Sequence, residues 1–381
     1  MAAAGLVLLA VAAVLSGSDR QSREFPNAPS VVGWPYDTGA ARAKAAIALL
    51  RSGPASATGY ARRSILSDPI SAQAVSLLGR SELLSHRMLD AHRAFQVSGQ
   101  LGWRDSITQV YWLDQALQSQ DYRVAAERLD ALLRQSPDRE ERDRFLAAVA
   151  ATPEGRDALA RRLRLAPAWA ATMITDVRGL PADQLLLRSD LMRRTGPRVW
   201  DCQTSERLSQ QLIAMNLLQD AQSVWRLNCQ STTSLVYDGR FDDLDVLKPA
   251  TAFNWQLSNR GDADIALLDN ATGNRHLRLR SNATVTLPIL RQLVVLGRGS
   301  YRLTWRTPNT TNKEANSLRV SMTCRPDLSG SVTGKLVDTK QQTWSADFIV
   351  DGECTAQQLV FWLLPRNSIE LDDVMLISTE K

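Results

Sequence analysis

This chain has little of what most catalytic centres are built from. It holds three His and four Cys in 381 residues, with no Cys-x-x-Cys or Cys/His spacing that would seat a metal. It has no G-x-S-x-G elbow, no Gly-rich phosphate loop, no H-E-x-x-H helix and no evident pair of catalytic carboxylates. His86 and His92 fall on one predicted helical hairpin and His276 in a β turn, none with a nucleophile identifiable beside it. No catalytic residue is assigned, no cofactor is required, and enzymatic activity is not expected. Charge of one sign is also scarce. The net charge is +5, and Arg, far commoner than Lys, is scattered beside Asp and Glu through the first half. Solvated helix faces look like this, which argues against nucleic acid as a partner. The mild basic balance suits an anionic neighbour, either a membrane surface or an acidic polymer.

Long apolar runs are missing too, with one exception. Ala2 to Leu15 is uninterrupted by charge. At about fourteen residues it is short for a bilayer span of roughly 20 and suits the core of a signal peptide. No Lys or Arg precedes it, whereas Arg20 and Arg23 follow, a placing that by itself would keep the rest of the chain cytoplasmic. A start further upstream would resolve that and lengthen the span. Residues 1–18 are read as a signal peptide or membrane anchor. Residues 19–37, with Pro26, Pro29, Gly33 and Pro35, are read as a linker. The chain is expected to be anchored to an inner membrane or exported, its bulk in the periplasm or otherwise outside the cytoplasm.

The cysteines support export. Cys202 opens and Cys229 closes an expected antiparallel helix pair, where such ends meet, while Cys324 ends one strand pattern and Cys354 follows another. Four buried thiols also fit this distribution. Even pairing within each half favours two disulfides, and those persist outside the reducing cytosol.

What is present divides in two. With 44% hydrophobic and 22% charged residues the composition is that of a soluble globular protein, and the length suits two domains. From Thr38 the pattern is helical and recurs at a period of 34, with starts at Thr38, Ala72 and Ser106. At the twentieth position of each frame stand Ala57, Ala91 and Ala125, and four further on Ala61, Phe95 and Leu129. Leu78-Gly79 falls at the tight first-helix position of the middle repeat, and Pro69 and Pro137 close the frame. Small residues let two helices approach, a large one fills the groove a turn later, and proline stops the second helix.

This pattern resembles the tetratricopeptide repeat. The resemblance implies a solenoid over 38–232 that binds a partner protein on its concave surface and carries no chemistry of its own. Arg104, Arg123 and Arg128, with Arg134, are candidates to clamp a partner's carboxylates; the alternative is that they are solvated helix-face residues. The register is lost after Pro137. Helical pairs nevertheless continue to a last hairpin, Ser205–Leu218 with Ala221–Leu227, read as a cap on the array.

From Leu235 the hydrophobic period is two. Leu277 and Leu279 alternate with Arg278 and Arg280; Tyr301, Leu303 and Trp305 with Arg302 and Thr304; Leu318, Val320 and Met322 with Arg319 and Ser321. One face in and one face out, repeated strand after strand, predicts a β-sandwich over 233–381. The whole chain is therefore read as an α + β multidomain protein, an all-α solenoid followed by a jelly roll.

The ends of this half carry a second resemblance. Asp238-Gly239-Arg240-Phe241-Asp242 near its start, Trp255 after it, and Ile369-Glu370-Leu371-Asp372-Asp373-Val374 at its close are similar to jelly-roll carbohydrate-binding modules of galactose-binding-like fold. That likeness implies chain ends lying side by side, a core Trp at position 255, polysaccharide as a partner, and a structural calcium held by Asp238, Asp242 and Asp372. It departs from the family in having Asp238 for Asn and Asp242 for Glu, and turn or cap hydrogen bonds are the other role open to these acids. Sugar binding needs an outward aromatic platform. If Leu359, Phe361 and Leu363 face inward, Trp362 faces out, and Trp344, Asn309, Asn312 and Asn316 are candidates to join it. The alternative is that Trp362 packs against the helices or the second sheet.

Overall fold

The computed structural model describes residues 2–24, 44, 46–47, 50, 53–135, 138–197, 199–229, 234–247, 250, 253–258, 261–269, 275–309, 311–324, 332–333, 335–338, 340, 342–350 and 354–379. The chain forms two compact units, residues 1–169 and 170–381. In the first, α1 (Ala2–Glu24) runs past the expected end of the apolar stretch at residue 18, because nothing there breaks the helix. The rest of the expected linker, 25–37, lies outside the described residues. Among the described residues no helix is long and apolar enough to cross a membrane.

Then come α2 (Pro54–Ser67), α3 (Ala72–Leu84), α4 (Met88–Leu101), α5 (Ser106–Gln118), α6 (Tyr122–Leu133), α7 (Arg139–Ala150) and α8 (Pro153–Leu163). The pairs α3/α4 and α5/α6 start at Ala72 and Ser106, and their end signals recur in step. Ser71 Oγ accepts the Ala74 N–H and Asp105 Oδ2 that of Thr108, which caps the exposed donors of each first turn. Between the two helices of each pair the chain reverses through a left-handed residue, His86 (φ 58°) or Gln120 (φ 59°). The following N–H, of Arg87 or Asp121, then reaches back to the carbonyl of Glu82 or Ala116, closing the helix end. Ala57, Ala91 and Ala125 are fully buried, as are Ala61 and Leu129, with Phe95 1% exposed. A Cβ on Gly79 would stand 3.0 Å from the Phe95 ring, so a side chain at residue 79 would push against that ring where α3 meets α4.

The second unit combines helices with sheets. Besides the residues of α9 (Ala168–Thr175) from 170 on, it holds α10 (Ala182–Thr195), α11 (Cys202–Ala214) and α12 (Leu218–Asn228). The expected boundary at 232/233 thus falls inside this unit, where helix gives way to strand. A disulfide joins Cys202 at the start of α11 to Cys229 after α12, Cα–Cα 4.8 Å. The hairpin expected as a cap on the array is packed on the sandwich. Trp225 of α12 is 1% exposed and lies edge-on to Tyr237 at 5.0 Å between ring centroids, with Phe253 at 5.8 Å. Gln222 donates to the Val295 carbonyl (3.0 Å).

The strands are β1 (Gln256–Leu257), β2 (Ala263–Asp269), β3 (Arg275–Ser281), β4 (Leu287–Val294), β5 (Gly299–Arg306), β6 (Leu318–Cys324), β7 (Val332–Thr333), β8 (Lys335–Asp338), β9 (Thr343–Val350), β10 (Gln357–Leu363) and β11 (Ser368–Ser378), with the short helix α13 (Asn312–Ala315) between β5 and β6. They form a five-stranded sheet, β1-β4-β10-β6-β7, and a six-stranded sheet, β2-β3-β11-β5-β9-β8, antiparallel at every described pairing. The last two strands therefore lie inside the two sheets, each between older neighbours. One core joins both sheets through Trp255, Trp305, Leu303, Phe361 and Leu371. The opening stretch and the closing strand meet: Leu235 N–H donates to Leu376 O and Val374 N–H to Gly239 O, both at 2.8 Å. A Cβ at Gly239 would collide with the Val374 carbonyl. The second disulfide links Cys324, ending β6, to Cys354, ahead of β10.

Candidate functional site

Strand alternation decides what the five-stranded sheet presents outward. Leu290, Val320 and Phe361 belong to the core, so Arg291, Arg319, Ser321, Gln358 and Trp362 stand on the opposite face. The register sets Trp362 between Pro288 and Arg319, and Val360 between Arg291 and Ser321. Trp362 is half-buried, and its indole N–H donates to Ser321 Oγ at 2.8 Å. That bond orients the ring. Further along the same face, Arg291 Nε, opposite Val360, and Gln358 Nε2, four residues before Trp362, are buried without a hydrogen-bond partner, an arrangement that native structures seldom leave unfilled. β1, β4, β6 and β10 contain no Asp or Glu. Val360 and Ser321 on this face are buried, at 0% and 2% exposed, so what it offers outward is the oriented ring of Trp362 and the exposed Arg319.

The other sugar candidates do not gather there. Trp344 is 4% exposed, belongs to the core and donates its indole N–H to Thr307 Oγ1 at 3.0 Å. It pairs across the sheet with the inward Trp305, so it faces inward as well and is no platform. Asn309 donates to Glu370 Oε2 at 3.0 Å, on β11 of the other sheet. Asn312 opens α13, and its side chain lies outside the described residues; Asn316 is exposed after that helix.

The acidic residues Asp238 and Asp242 lie at the opening stretch and Asp372 on the closing strand, and they face different partners. Asp238, in the left-handed region at φ 47°, accepts the Asp243 N–H at Oδ1 (3.2 Å). Burial, with help from the Asp243 and Asp242 charges, pushes its carboxyl up to about 7. Asp242 is exposed. Asp372 is 4% exposed and accepts the Asp373 N–H at 2.8 Å; burial and then the Asp373 charge raise its carboxyl. The positive charge here comes from arginine, since Asp373 meets Arg306 at 2.6 Å and Arg240 at 3.9 Å. Asp238, Asp242 and Asp372 do not form one ligand set, and among the described residues no group of three or more His, Cys, Asp or Glu could hold a metal ion.

In the first unit a cavity of about 830 Å³ runs beside α3, α5 and α7, lined among others by Arg80, Ile107, Val110, Tyr111, Arg144 and Phe145. None of the four arginines singled out from the sequence lines it, and Arg134 pairs with Asp130 at 3.0 Å. Arg123 pairs with Glu127 (3.1 Å), which also meets Arg162 (3.1 Å). Arg128 lies over the Trp103 ring at 4.1 Å, donates to Gln109 Oε1 (3.3 Å) and has its pKa lowered by burial. Arg104 lines a separate, more open recess of about 680 Å³ with Trp103. Arg104 and Arg128 thus both adjoin Trp103, while Arg123 is engaged by Glu127.

Sequence reasoning passed over Arg291, Arg319 and Gln358. The outward parity of Arg319 was readable from Leu318 and Val320. Its place beside Trp362 was not, because β10 inserts between strands far earlier in the chain.

No protein-family model matches this chain, and no curated protein matches it in sequence. Among solved structures it is similar to the enzymatically active domain of tailspike protein 4 of bacteriophage CBA120, at 13% identity over 40% of this chain and 22% of that one, TM-score 0.28. It is similar to a CBM4 module at 16% identity over 38% of this chain and 99% of that one, TM-score 0.26. It is also similar to TmCBM61, solved with β-1,4-galactotriose, at 12% identity over 39% of this chain and 99% of that one, TM-score 0.25. The match spans about a fifth of the tailspike chain. At such scores these likenesses carry no weight for activity, and the chain is described as its own residues define it: a helical region followed by two packed antiparallel sheets.

Proposed function

We propose that this protein is a non-enzymatic, extracytoplasmic adaptor whose sandwich binds polysaccharide on the face around Trp362. Its role would lie in envelope or exopolysaccharide biogenesis, with α1 as the tether and the tetratricopeptide-type helices engaging a partner protein. The observation that carries the reading is the ring of Trp362, half-buried, oriented by Ser321 and set across the strand from the exposed Arg319. A pyranose stacks its C–H face on an indole, and its hydroxyls accept hydrogen bonds from planar amide and guanidinium groups. The two disulfides support a site outside the reducing cytosol. The full chain, titrated with neutral and acidic polysaccharides, is expected to show saturable quenching of Trp fluorescence. Trp362→Ala should weaken binding at least about tenfold with the circular dichroism spectrum intact. Absence of saturable binding across the panel would remove this reading.

The cavity beside α5 favours a second role, docking of a protein partner with no sugar bound. Val110 is 37% exposed on its rim. Val110→Arg should then release a co-purifying protein while leaving glycan titrations unchanged.

A further inference from the structure

Granting that the Trp362 face binds glycan, we propose that its ligand is a polyuronate, a polysaccharide whose sugars carry a carboxylate in place of the exocyclic hydroxymethyl group. Charge on the two sheets is arranged differently. On the six-stranded sheet, Arg302 pairs with Asp347 at 2.7 Å and Arg306 with Asp373 at 2.6 Å. On the Trp362 face, neither Arg291 nor Arg319 is in an ion pair among the described residues, and β1, β4, β6 and β10 offer no acid to make one. Arg319, across from Trp362, and Arg291, opposite Val360, thus have no counter-charge from their own sheet.

Position agrees with charge. Arg319 is the direct cross-strand neighbour of Trp362, roughly 4.8 Å away between backbones. A pyranose lying on the indole places its exocyclic C5 substituent at the ring's rim, within reach of a side chain as long as arginine. Arg291 stands beside Val360, one strand away on the other side of β10, and its Nε is buried without an acceptor. A carboxylate suits the exposed guanidinium of Arg319, because its two oxygens match the fork and neutralise it. A neutral sugar answers only the hydrogen bond.

The test compares polymers that share a backbone. Polygalacturonate and its fully methyl-esterified form are titrated into the full chain at low ionic strength, with alginate and its ester as a second pair. The free acids are expected to bind at least about tenfold more tightly than the esters, the gap closing as salt is added. Arg319→Gln should weaken binding of the acids about five- to tenfold and narrow that gap, while Arg302→Gln on the other sheet changes neither. Equal binding of acid and ester, both abolished by Trp362→Ala, would overturn the uronate assignment and leave the glycan surface standing. Equal losses in Arg319→Gln and Arg302→Gln would reduce the preference to net charge and overturn it too. No binding of either polymer pair, with neutral glycans bound, overturns it as well. No binding of any glycan removes both proposals.

Discussion

Asp238 shows how one substitution within a familiar pattern changes behaviour. The carbohydrate-binding modules that the opening stretch resembles carry Asn at this place, which tolerates the left-handed backbone and does not titrate. Here the carboxyl is largely buried and pushed up to about 7. The folded state therefore binds more protons than the unfolded one between its ordinary value, near 4, and 7. Stability from this group is fully present below the lower value and is lost as pH rises through 7. Asp372, raised for the same reason, acts in the same direction. Asp238→Asn keeps the acceptor for the Asp243 N–H and removes the charge. It should stabilise the protein at pH 8 by on the order of 1–2 kcal/mol, discounted for partial exposure, and change little at pH 4. Urea unfolding at both pH values measures this; equal shifts at the two would show that Asp238 does not titrate in that interval. Trp344 and Trp362 make the complementary point at the same scale. Trp344 shares its parity with the core residues Ala346 and Val350 and lies opposite the inward Trp305, whereas Trp362 falls between the inward Phe361 and Leu363.

At the scale of elements, the helical hairpin α11/α12 was legible as a hairpin and misread as to what it covers. Its disulfide and its Ala221–Trp225 spacing belong to the hairpin alone. The surface that receives Trp225 comes from Tyr237 and Phe253, beyond the helices in the chain. Trp225→Ala would leave a cavity between α12 and the sandwich, costing about 3–5 kcal/mol. Urea unfolding followed by near-ultraviolet dichroism should show it, and a loss below about 1 kcal/mol would mean that the hairpin is not bound to the sandwich. The repeat in α3 to α6 was legible for the opposite reason. Its caps, its left-handed turns and its buried alanines are all local to each pair, so they recur with the sequence period.

For the whole molecule, the distribution of cysteine matters more than the number. All four lie in the second unit, at 202, 229, 324 and 354, and all four are paired. Reduction should therefore lower the stability of that unit by about 3 kcal/mol per disulfide and leave the first unit's melting unchanged. Calorimetry with and without reductant reads this as one transition that moves and one that does not. Movement of both would show that the units unfold together.

By itself, the sequence determined the parts whose causes are local: where helices begin and end, the helical period of 34, and which strand positions face inward. Periodicity and capping act over a few residues, so they are written where they operate. Only the tertiary structure decided what stands beside what. It placed Arg319 and Arg291 on either side of the strand that carries Trp362, moved Asn309 to the other sheet, and brought Arg128 over the Trp103 ring. Each of these depends on strand order or helix crossing, which join residues tens of positions apart and leave no mark at either one alone.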